Sequence, residues 1–230
     1  MAGEEGEREA PAFGIERYPV AIFDFDGTIA DTAPAIMHVA RKTLKRHGID
    51  AKKKQLRLLV GPPLVDGFRD TFGVSQEEAE QLTADYRELA KTEVRVKDYP
   101  PFEGMPELLR DLVAEGRRLA VATSRHEESA FSMIESLGLT DCFEVIVGGI
   151  DDVRDTKAEC ILEALERMDV PPEDAVMVGD KFHDVEGAHE AGMPCIGIYT
   201  GTSDEGDLEA AGAEAIVHSV PELRGLLLGA

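Results

Sequence analysis

The sequence predicts an α/β fold in which a doubly wound parallel sheet forms the core and an all-α helical cap is inserted into it. The run Val20-Ala21-Ile22-Phe23 is apolar throughout, which predicts a strand buried on both faces. From Tyr99 onward, strand and helix patterns alternate to the end of the chain, as in a parallel sheet with helical crossovers. Between residues 32 and 95, three helical patterns follow one another without a strand, which indicates the insertion.

The inserted segment has recognisable helix ends. Its first helix begins at Thr32, a candidate N-cap, and stops at Gly48. The second follows Gly61-Pro62-Pro63, and the third begins at Ser75 in a capping box and runs to about Val94. We therefore predict a core domain at residues 16–31 and 99–230, a helical cap at 32–98, and a disordered acidic tail at 1–15.

The second half of the chain supplies the rest of the sheet. Such sheets bind ligands beyond the carboxyl ends of their strands, so the residues that follow each strand are the candidates for function. The predicted strands are 118–123, 143–147, 174–178, 195–199 and 215–217, and the predicted helices are 104–115, 127–137, 157–168, 184–191, 207–211 and 221–228.

Composition limits the classes of partner. The chain has 230 residues and a formal net charge of −22, so its field repels nucleic-acid polymers and anionic membranes, and we expect neither as a partner. Its three cysteines are widely spaced and suggest neither a disulfide framework nor a zinc site. The N-terminal stretch lacks the apolar segment of a signal peptide, and no apolar run is long enough to span a bilayer. A cytoplasmic protein, monomeric or homodimeric, is expected.

Two carboxylates follow the first strand. Asp24 and Asp26 are two residues apart, so an extended backbone projects them to the same side, and Gly27 permits the tight turn that follows. Adjacent carboxylates are tolerated when a metal neutralises them, or when one keeps its proton while the other is ionised. Both conditions suit a carboxylate nucleophile beside a carboxylic acid. The alternative is an ordinary strand end and turn.

Polar and cationic side chains follow the next two strands. Thr123 and Ser124 place hydroxyl groups at the predicted start of a helix, where they either bind an anion or cap that helix. Arg125 either adds charge to the same pocket or points to solvent. Lys157 lies in a first helical turn, where the positive helix N-terminus calls for an anionic neighbour, and Arg154 is the competing candidate for its role.

Two further acids follow the strand 174–178. Asp180 and Asp184 are four residues apart across a strand-to-helix turn, so both can approach one cation. With Asp24 and the backbone carbonyl of Asp26 they offer hard oxygen ligands, which suit Mg²⁺ rather than zinc. His183-Asp184 also matches the metal-binding pair of HD-type phosphohydrolases, but the sequence has no second histidine cluster to complete such a site.

These stretches resemble the four sequence motifs of the haloacid dehalogenase-like superfamily, most of whose members are magnesium-dependent phosphohydrolases. They occur in the required order, each after a predicted strand. The matching residues are Asp24-Phe25-Asp26-Gly27-Thr28 for the first motif, Thr123 or Ser124 for the second, Lys157 for the third, and Gly179 to Gly192 with Asp180 and Asp184 for the fourth.

The resemblance implies a Rossmann-like core and a reaction through an aspartyl-phosphate. Two positions depart from the family pattern. Lys157-Ala158-Glu159-Cys160 stands where the phosphoglycolate phosphatase group usually has Lys-Pro-x-Pro, and Lys181 replaces a small Ser or Thr. The implied roles are nucleophile for Asp24, acid and base for Asp26, phosphate binding for Thr123, Ser124 and Lys157, and Mg²⁺ binding for Asp24, Asp26, Asp180 and Asp184.

The expected activity is hydrolysis of a small phosphometabolite, such as 2-phosphoglycolate or a nucleoside monophosphate. The resemblance is to the phosphoglycolate phosphatase-like and nucleotidase-like branch. A dehalogenase is disfavoured because it needs neither Asp26 nor a metal site. A phosphomutase of the β-phosphoglucomutase type uses the same residues and remains an alternative. So does a non-catalytic protein that binds a phospho-ligand or a partner.

The expected cap carries a concentration of positive charge. Residues 41–57 hold 8 of the 24 basic side chains of the chain. They form either a solvated helix face followed by a lysine-rich loop, or a mobile element that draws an anionic substrate toward an acidic protein. The cap is expected to close over the site and select the leaving group, with Gly61-Pro62-Pro63-Leu64 as candidate substrate contacts.

Overall fold

The computed structural model describes Gly14 and residues 18–229, so the predicted tail at 1–15 lies outside the described residues except for Gly14. The strands are β1 Val20–Phe23, β2 Arg118–His126, β3 Val145–Gly149, β4 Ala175–Gly179, β5 Cys195–Ile198 and β6 Ala215–Val217. The helices are α1 Ala33–Arg46, α2 Lys53–Arg57, α3 Leu64–Phe72, α4 Gln76–Glu93, α5 Met105–Ala114, α6 Glu127–Ser136, α7 Lys157–Met168, α8 Phe182–Glu190, α9 Asp207–Ala211 and α10 Val220–Leu228. Over residues 18–229, no helix is long and apolar enough to cross a membrane.

The six strands form one parallel sheet, in the order β3-β2-β1-β4-β5-β6. The predicted doubly wound α/β fold is confirmed. Strand β1 lies in the middle, where Phe23 pairs with Val121 of β2 on one side and with Val178 of β4 on the other. The chain builds the sheet outward from β1 in one direction and from β4 in the other. The gap beyond β1 and β4 is therefore the topological switch point at which such folds bind ligands.

Helices cover both faces of the sheet, which explains the unbroken apolar run of β1. Ala21 and Phe23 belong to one buried cluster, which includes side chains of α5 and α10. Val20 and Ile22 belong to a second cluster on the opposite face, with side chains of α7 and α8. Because alternate residues of a strand point to opposite faces, all four had to be apolar.

Helices α1 to α4 lie between β1 and β2 in sequence, and we call residues 32–98 the helical insertion. They pack around an apolar cluster of their own, which includes Phe68, Leu82 and Tyr86. The insertion contains four helices rather than the three predicted, because the lysine-rich residues 53–57, expected to be a loop, form α2. Leu56 is fully buried there, and the Gln55 side chain accepts a hydrogen bond from the Lys52 backbone N–H (3.1 Å).

Strand β2 extends beyond its predicted end at Thr123. It continues to His126, which pairs with Gly149 of β3 after a shift in register that begins at Ala122. Gly148 makes this possible, because a Cβ there would lie 2.5 Å from the Arg125 carbonyl oxygen. Thr123 and Ser124 therefore lie within the strand and not at the start of α6.

Candidate active site

Three buried carboxylates meet at the switch point. Asp24 directly follows β1, Asp180 directly follows β4, and Asp184 lies in the first turn of α8. Each offers a carboxylate oxygen, and these oxygens lie within 4.8 Å of one another. The three residues are at most 5% exposed. The strand-end positions predicted from the sequence thus converge on one small volume, which we call the acid cluster (Asp24, Asp180, Asp184).

Glycines make room for the acid cluster. Gly27 turns the chain after β1 with a φ of +89°, and a Cβ at this position would lie 2.6 Å from Asp180 Oδ2. A Cβ at Gly201 would lie 1.8 Å from the same oxygen, and one at Gly179 would lie 2.3 Å from Asp184 Oδ2. Real Cβ atoms do not approach other atoms this closely, so the carboxylates occupy space that only glycine leaves open.

Lys157 supplies positive charge to the acid cluster. Its Nζ lies 2.7 Å from Asp24 Oδ1 and 2.8 Å from Asp184 Oδ1, and it donates a hydrogen bond to the Ala122 carbonyl (3.1 Å). Burial lowers its pKa, but the two carboxylates outweigh burial and raise that pKa above its ordinary value. The competing candidate, Arg154, pairs instead with Glu127 (2.5 Å) and Glu163 (3.1 Å).

One lysine does not balance three carboxylates. Burial, opposed by Lys157 and aided by the neighbouring acids, raises the pKa of Asp24 to about 7. Burial and the charges of Asp184 and Asp24 raise the pKa of Asp180 well above its ordinary value. Asp180 Oδ1 is buried and has no hydrogen-bond partner among residues 18–229. A buried carboxylate oxygen without a donor, beside two more carboxylates, fits a cation that prefers oxygen ligands.

Asp26 faces a different partner. Its Oδ2 and Oδ1 accept hydrogen bonds from Arg125 Nε (2.9 Å) and Nη2 (2.6 Å), so the two side chains form a bidentate ion pair. The sequence allowed Arg125 either to add charge to the predicted pocket or to point to solvent. The structure shows the first of these arrangements. The three-carboxylate group found in the described residues does not include the Asp26 side chain. Metal binding through the backbone carbonyl of Asp26 stays a prediction.

The predicted phosphate-binding hydroxyls lie beside the acid cluster along β2. Because Phe23 pairs with Val121, Thr123 lies one residue past the strand level of Asp24. Thr123 is 1% exposed, and its Oγ1 accepts a hydrogen bond from the Arg125 backbone N–H (3.3 Å). Ser124 is half-buried and lines the neighbouring cavity. Which hydroxyl binds phosphate stays a prediction.

A cavity of about 1100 Å³ separates the helical insertion from the carboxyl ends of β2 and β3. Asp26, Ser124 and Arg125 line its core side, and Thr83 and Tyr86 of α4 line the opposite side. The residues suggested from the sequence as substrate contacts, Gly61, Pro62, Pro63 and Leu64, also line it. The insertion thus forms one wall of the cavity that Asp26, Ser124 and Arg125 line from the core.

Polar contacts join the insertion to the core at two places. Arg87 donates two hydrogen bonds to Asp151 (2.6 and 2.8 Å), and Arg57 donates one to the Thr202 carbonyl (2.9 Å). Lys181, the unusual residue of the fourth motif, donates to Thr202 Oγ1 (2.6 Å). A Cβ at Gly61 would lie 3.2 Å from Lys181 Cγ, so this lysine also packs against the insertion. Of the basic residues at 41–57, Arg57 reaches the core.

Sequence reasoning overlooked Tyr86 and Arg87. Tyr86 packs against Phe68 within the insertion, with ring centroids 6.4 Å apart. Burial raises its pKa to about 12, and it lines the same cavity as Arg125 and Asp26. The only sequence signal for either residue is a place on an amphipathic helix, which does not indicate proximity to Asp26.

Comparison with known proteins agrees with this geometry. Residues 21–198 match the family model described as haloacid dehalogenase-like hydrolase. A 5'-nucleotidase of Pseudomonas aeruginosa is 34% identical over 196 residues, which cover 84% of this chain and 88% of the relative. The tyrosine-protein kinase PtkA of Mycobacterium tuberculosis is 32% identical over 212 residues, covering 90% and 72%.

A solved structure is also similar. A protein from Clostridium acetobutylicum, described as a predicted phosphatase, superposes with a TM-score of 0.88 at 32% identity. The match covers 93% of this chain and 99% of that one. The chain therefore belongs to the haloacid dehalogenase-like hydrolase family, and the phosphatases among its relatives confirm the enzyme class predicted from the sequence.

Proposed function

We propose that this chain is a Mg²⁺-dependent phosphomonoester hydrolase that acts on a small phosphometabolite through an aspartyl-phosphate. The observation that carries the proposal is the placement of Asp24. Its carboxylate lies at the switch point of the sheet, is paired with the buried Lys157 and adjoins two more acids. The cavity of about 1100 Å³ that Asp26 lines is of a size that suits a small molecule rather than a polymer.

The chemistry follows from four side chains. A carboxylate oxygen of Asp24 attacks phosphorus in line, and the bond from phosphorus to the leaving-group oxygen breaks. Asp26 gives a proton to that oxygen and then takes one from the water that attacks the aspartyl-phosphate, which releases phosphate and restores Asp24. Lys157, with Thr123 or Ser124, stabilises the charge on the phosphoryl oxygens.

The acid cluster is the proposed metal site. Asp24, Asp180 and Asp184, with the backbone carbonyl of Asp26, would hold Mg²⁺, because all four offer hard oxygen ligands. When bound, the ion would supply positive charge beside the transferred phosphoryl group. The orphaned oxygen of Asp180 supports this assignment.

Chelation tests the proposal. Phosphate release from an aryl phosphate should fall by about a hundredfold or more in EDTA and should recover when Mg²⁺ is added in excess. Turnover that is indifferent to EDTA would contradict the metal dependence. A panel of 2-phosphoglycolate, nucleoside monophosphates and sugar phosphates would then rank the substrate classes. An aspartyl-phosphate that forms without release of phosphate to water would favour the phosphomutase alternative.

The close packing of Gly201 against the Asp180 carboxylate predicts the effect of Gly201→Ala on metal binding. The added methyl group would displace the Asp180 carboxylate, so we expect Mg²⁺ affinity to fall at least tenfold, as measured by titration calorimetry. Gly48→Ala is the matched control, since Gly48 has a φ of +74° and no neighbouring atom within 4 Å. It should cost about 1 kcal/mol of stability through backbone strain and leave Mg²⁺ affinity unchanged. Equal affinities of the two variants would count against the assignment of Asp180.

The proposal also includes the partner, the oligomeric state and the location that were predicted from the sequence. The partner is a small phosphorylated metabolite, not a nucleic-acid polymer or a membrane, and the chain acts as a monomer or homodimer. A cytoplasmic location is supported by Cys142, Cys160 and Cys195, which are all buried and free of disulfides. A non-catalytic binding protein is the alternative from another class. The presence of every motif acid and of Lys157 argues against it.

A further inference from the structure

The loop at residues 200–204 holds Asp180 in place. The Thr202 backbone N–H donates a hydrogen bond to Asp180 Oδ2 (3.2 Å), and Ser203 Oγ donates one to the Asp180 carbonyl oxygen (2.5 Å). Asp180 Oδ1 has no hydrogen-bond partner in the described part of the chain, so it is the oxygen left for a cation. The bond from Thr202 therefore sets the orientation in which the Asp180 carboxylate meets a metal ion.

The helical insertion contacts the same loop. Arg57, at the end of α2, donates a hydrogen bond from Nη2 to the Thr202 carbonyl oxygen (2.9 Å). Lys181 Nζ donates to Thr202 Oγ1 (2.6 Å), and its side chain lies against Gly61 of the insertion, where a Cβ would be 3.2 Å from Lys181 Cγ. Thr202 thus links Asp180, through its N–H, to the insertion, through its carbonyl.

Polar contacts of this kind hold the insertion against the core. Among the described residues, each buried apolar cluster lies either wholly within the insertion or wholly within the core. The ion pair of Arg57 with Asp204 (3.3 Å) is open to solvent, with side chains 44% and 84% exposed. Two parts of a chain that share no apolar core can shift relative to each other when such weak contacts break. The docking of the insertion therefore depends on a few polar bonds, one of which is made to the residue that orients Asp180.

We propose that Arg57 is a positioning residue that couples docking of the insertion to Mg²⁺ binding. Its bond to the Thr202 carbonyl keeps the loop where the Thr202 N–H orients Asp180. Undocking of the insertion removes that restraint, and the affinity for Mg²⁺ falls. Because coupling between two equilibria is reciprocal, bound Mg²⁺ favours the docked insertion by the same factor. This inference rests on the proposed function and deepens it by adding regulation of its metal site.

The Mg²⁺ affinity of Arg57→Met tests the coupling. Methionine keeps an unbranched side chain but donates no hydrogen bond to the Thr202 carbonyl. We expect the Kd for Mg²⁺, measured by titration calorimetry, to rise about fivefold or more. Loss of charge alone predicts the opposite change, because removing a cation from the neighbourhood of a cation site lowers the Kd. The sign of the change therefore separates positioning from simple electrostatics.

Lys54→Met is the matched control, because Lys54 is an exposed cation on the same helix. It should leave the Kd unchanged or lower it slightly. Arg57→Lys keeps a charged donor and should restore most of the affinity. Both methionine variants should unfold in EDTA within about 3 °C of the wild type, since exposed ion pairs add little stability. An Arg57→Met protein with the same Kd as Lys54→Met would overturn the proposal.

Hydrogen exchange measures the coupling in the other direction. In the wild type, Mg²⁺ should slow amide exchange, relative to EDTA, both in the loop at 200–204 and in the insertion at 56–64. In Arg57→Met the loop should still respond to Mg²⁺, because Asp180 remains, but the insertion should lose most of its response. An insertion that gains the same protection in both proteins would contradict coupling through Arg57.

Neither readout depends on turnover, so this proposal and the proposed function can fail separately. If the coupling is found but no phosphate ester is hydrolysed, the hydrolase proposal fails and the role of Arg57 stands. If turnover requires Mg²⁺ but Arg57→Met and Lys54→Met bind the ion equally, the role of Arg57 fails and the hydrolase proposal stands. A wild type that does not bind Mg²⁺ would overturn both the metal dependence and the coupling.

Discussion

Asp24→Asn should abolish phosphate release, with kcat falling by about 10⁴-fold or more. The amide has nearly the same shape as the carboxylate but is not a nucleophile, so the aspartyl-phosphate cannot form. Release of inorganic phosphate from an aryl phosphate and from 2-phosphoglycolate measures the effect. Activity within tenfold of the wild type would rule out Asp24 as the nucleophile.

The same substitution should stabilise the metal-free protein at neutral and higher pH. Burial raises the pKa of Asp24 to about 7, so ionising this group favours the unfolded chain. Stability of the wild type should therefore decline as pH rises from about 4 through about 7, by roughly 4 kcal/mol at most from this group. Asp24→Asn should lack this part of the decline.

Urea unfolding in EDTA at pH 5 and pH 8 checks this expectation. The free energy of unfolding of Asp24→Asn, relative to that of the wild type, should increase from pH 5 to pH 8. Only the wild type ionises a buried carboxylate at position 24 over this range. Asp50→Asn is the control, because Asp50 is exposed. This substitution should change neither kcat nor the difference in unfolding free energy between pH 5 and pH 8. An Asp24→Asn protein that is no more stable than the wild type at pH 8 would contradict the electrostatic account of the acid cluster.

Lys157→Met should damage both stability and activity. It removes the cation that lies within 2.8 Å of Asp24 and Asp184 and leaves the acid cluster uncompensated. Breaking a buried ion pair from one side costs about 3–5 kcal/mol, so we expect a loss of that size in the metal-free protein. Phosphate release should fall by about 10³-fold or more, because the phosphoryl oxygens lose a charge-assisted donor.

Mg²⁺ should recover part of the lost stability in Lys157→Met, since the ion binds only the folded chain and neutralises the same carboxylates. Thermal unfolding with EDTA and with Mg²⁺ would measure the recovery. Lys91→Met is the control: Lys91 pairs with Glu88 on the surface, where both side chains are more than 70% exposed. It should shift stability by about 0.5 kcal/mol or less. A Lys157→Met protein as stable as this control would refute the role of Lys157.

Local patterns in the sequence determined the fold class and most of the element bounds. The predicted helix at 157–168 coincides with α7 because its start is set locally: Thr156 Oγ1 accepts a hydrogen bond from the Glu159 backbone N–H in a capping box. Strand β1 was recognisable because burial on both faces leaves no polar position in it. These signals lie within a few residues of the element they specify.

The acid cluster could also be predicted from the sequence. Asp24 and Asp180 each follow a buried parallel strand, and the carboxyl ends of parallel strands lie at one edge of the sheet. The order of the strands, which makes β1 and β4 neighbours, then brings the two carboxylates together. Lys157 could be proposed on the same grounds, because it begins the helix that follows another strand.

The tertiary structure alone decided the contacts between distant segments. The end of β2 depends on Gly148 of β3, the partner of Asp26 is Arg125 rather than the acid cluster, and the cavity wall is completed by Tyr86. Each of these contacts joins residues more than 20 positions apart in the chain. Local propensity and periodicity describe the neighbours of a residue along the backbone. Which charge a buried side chain meets is set by packing between elements.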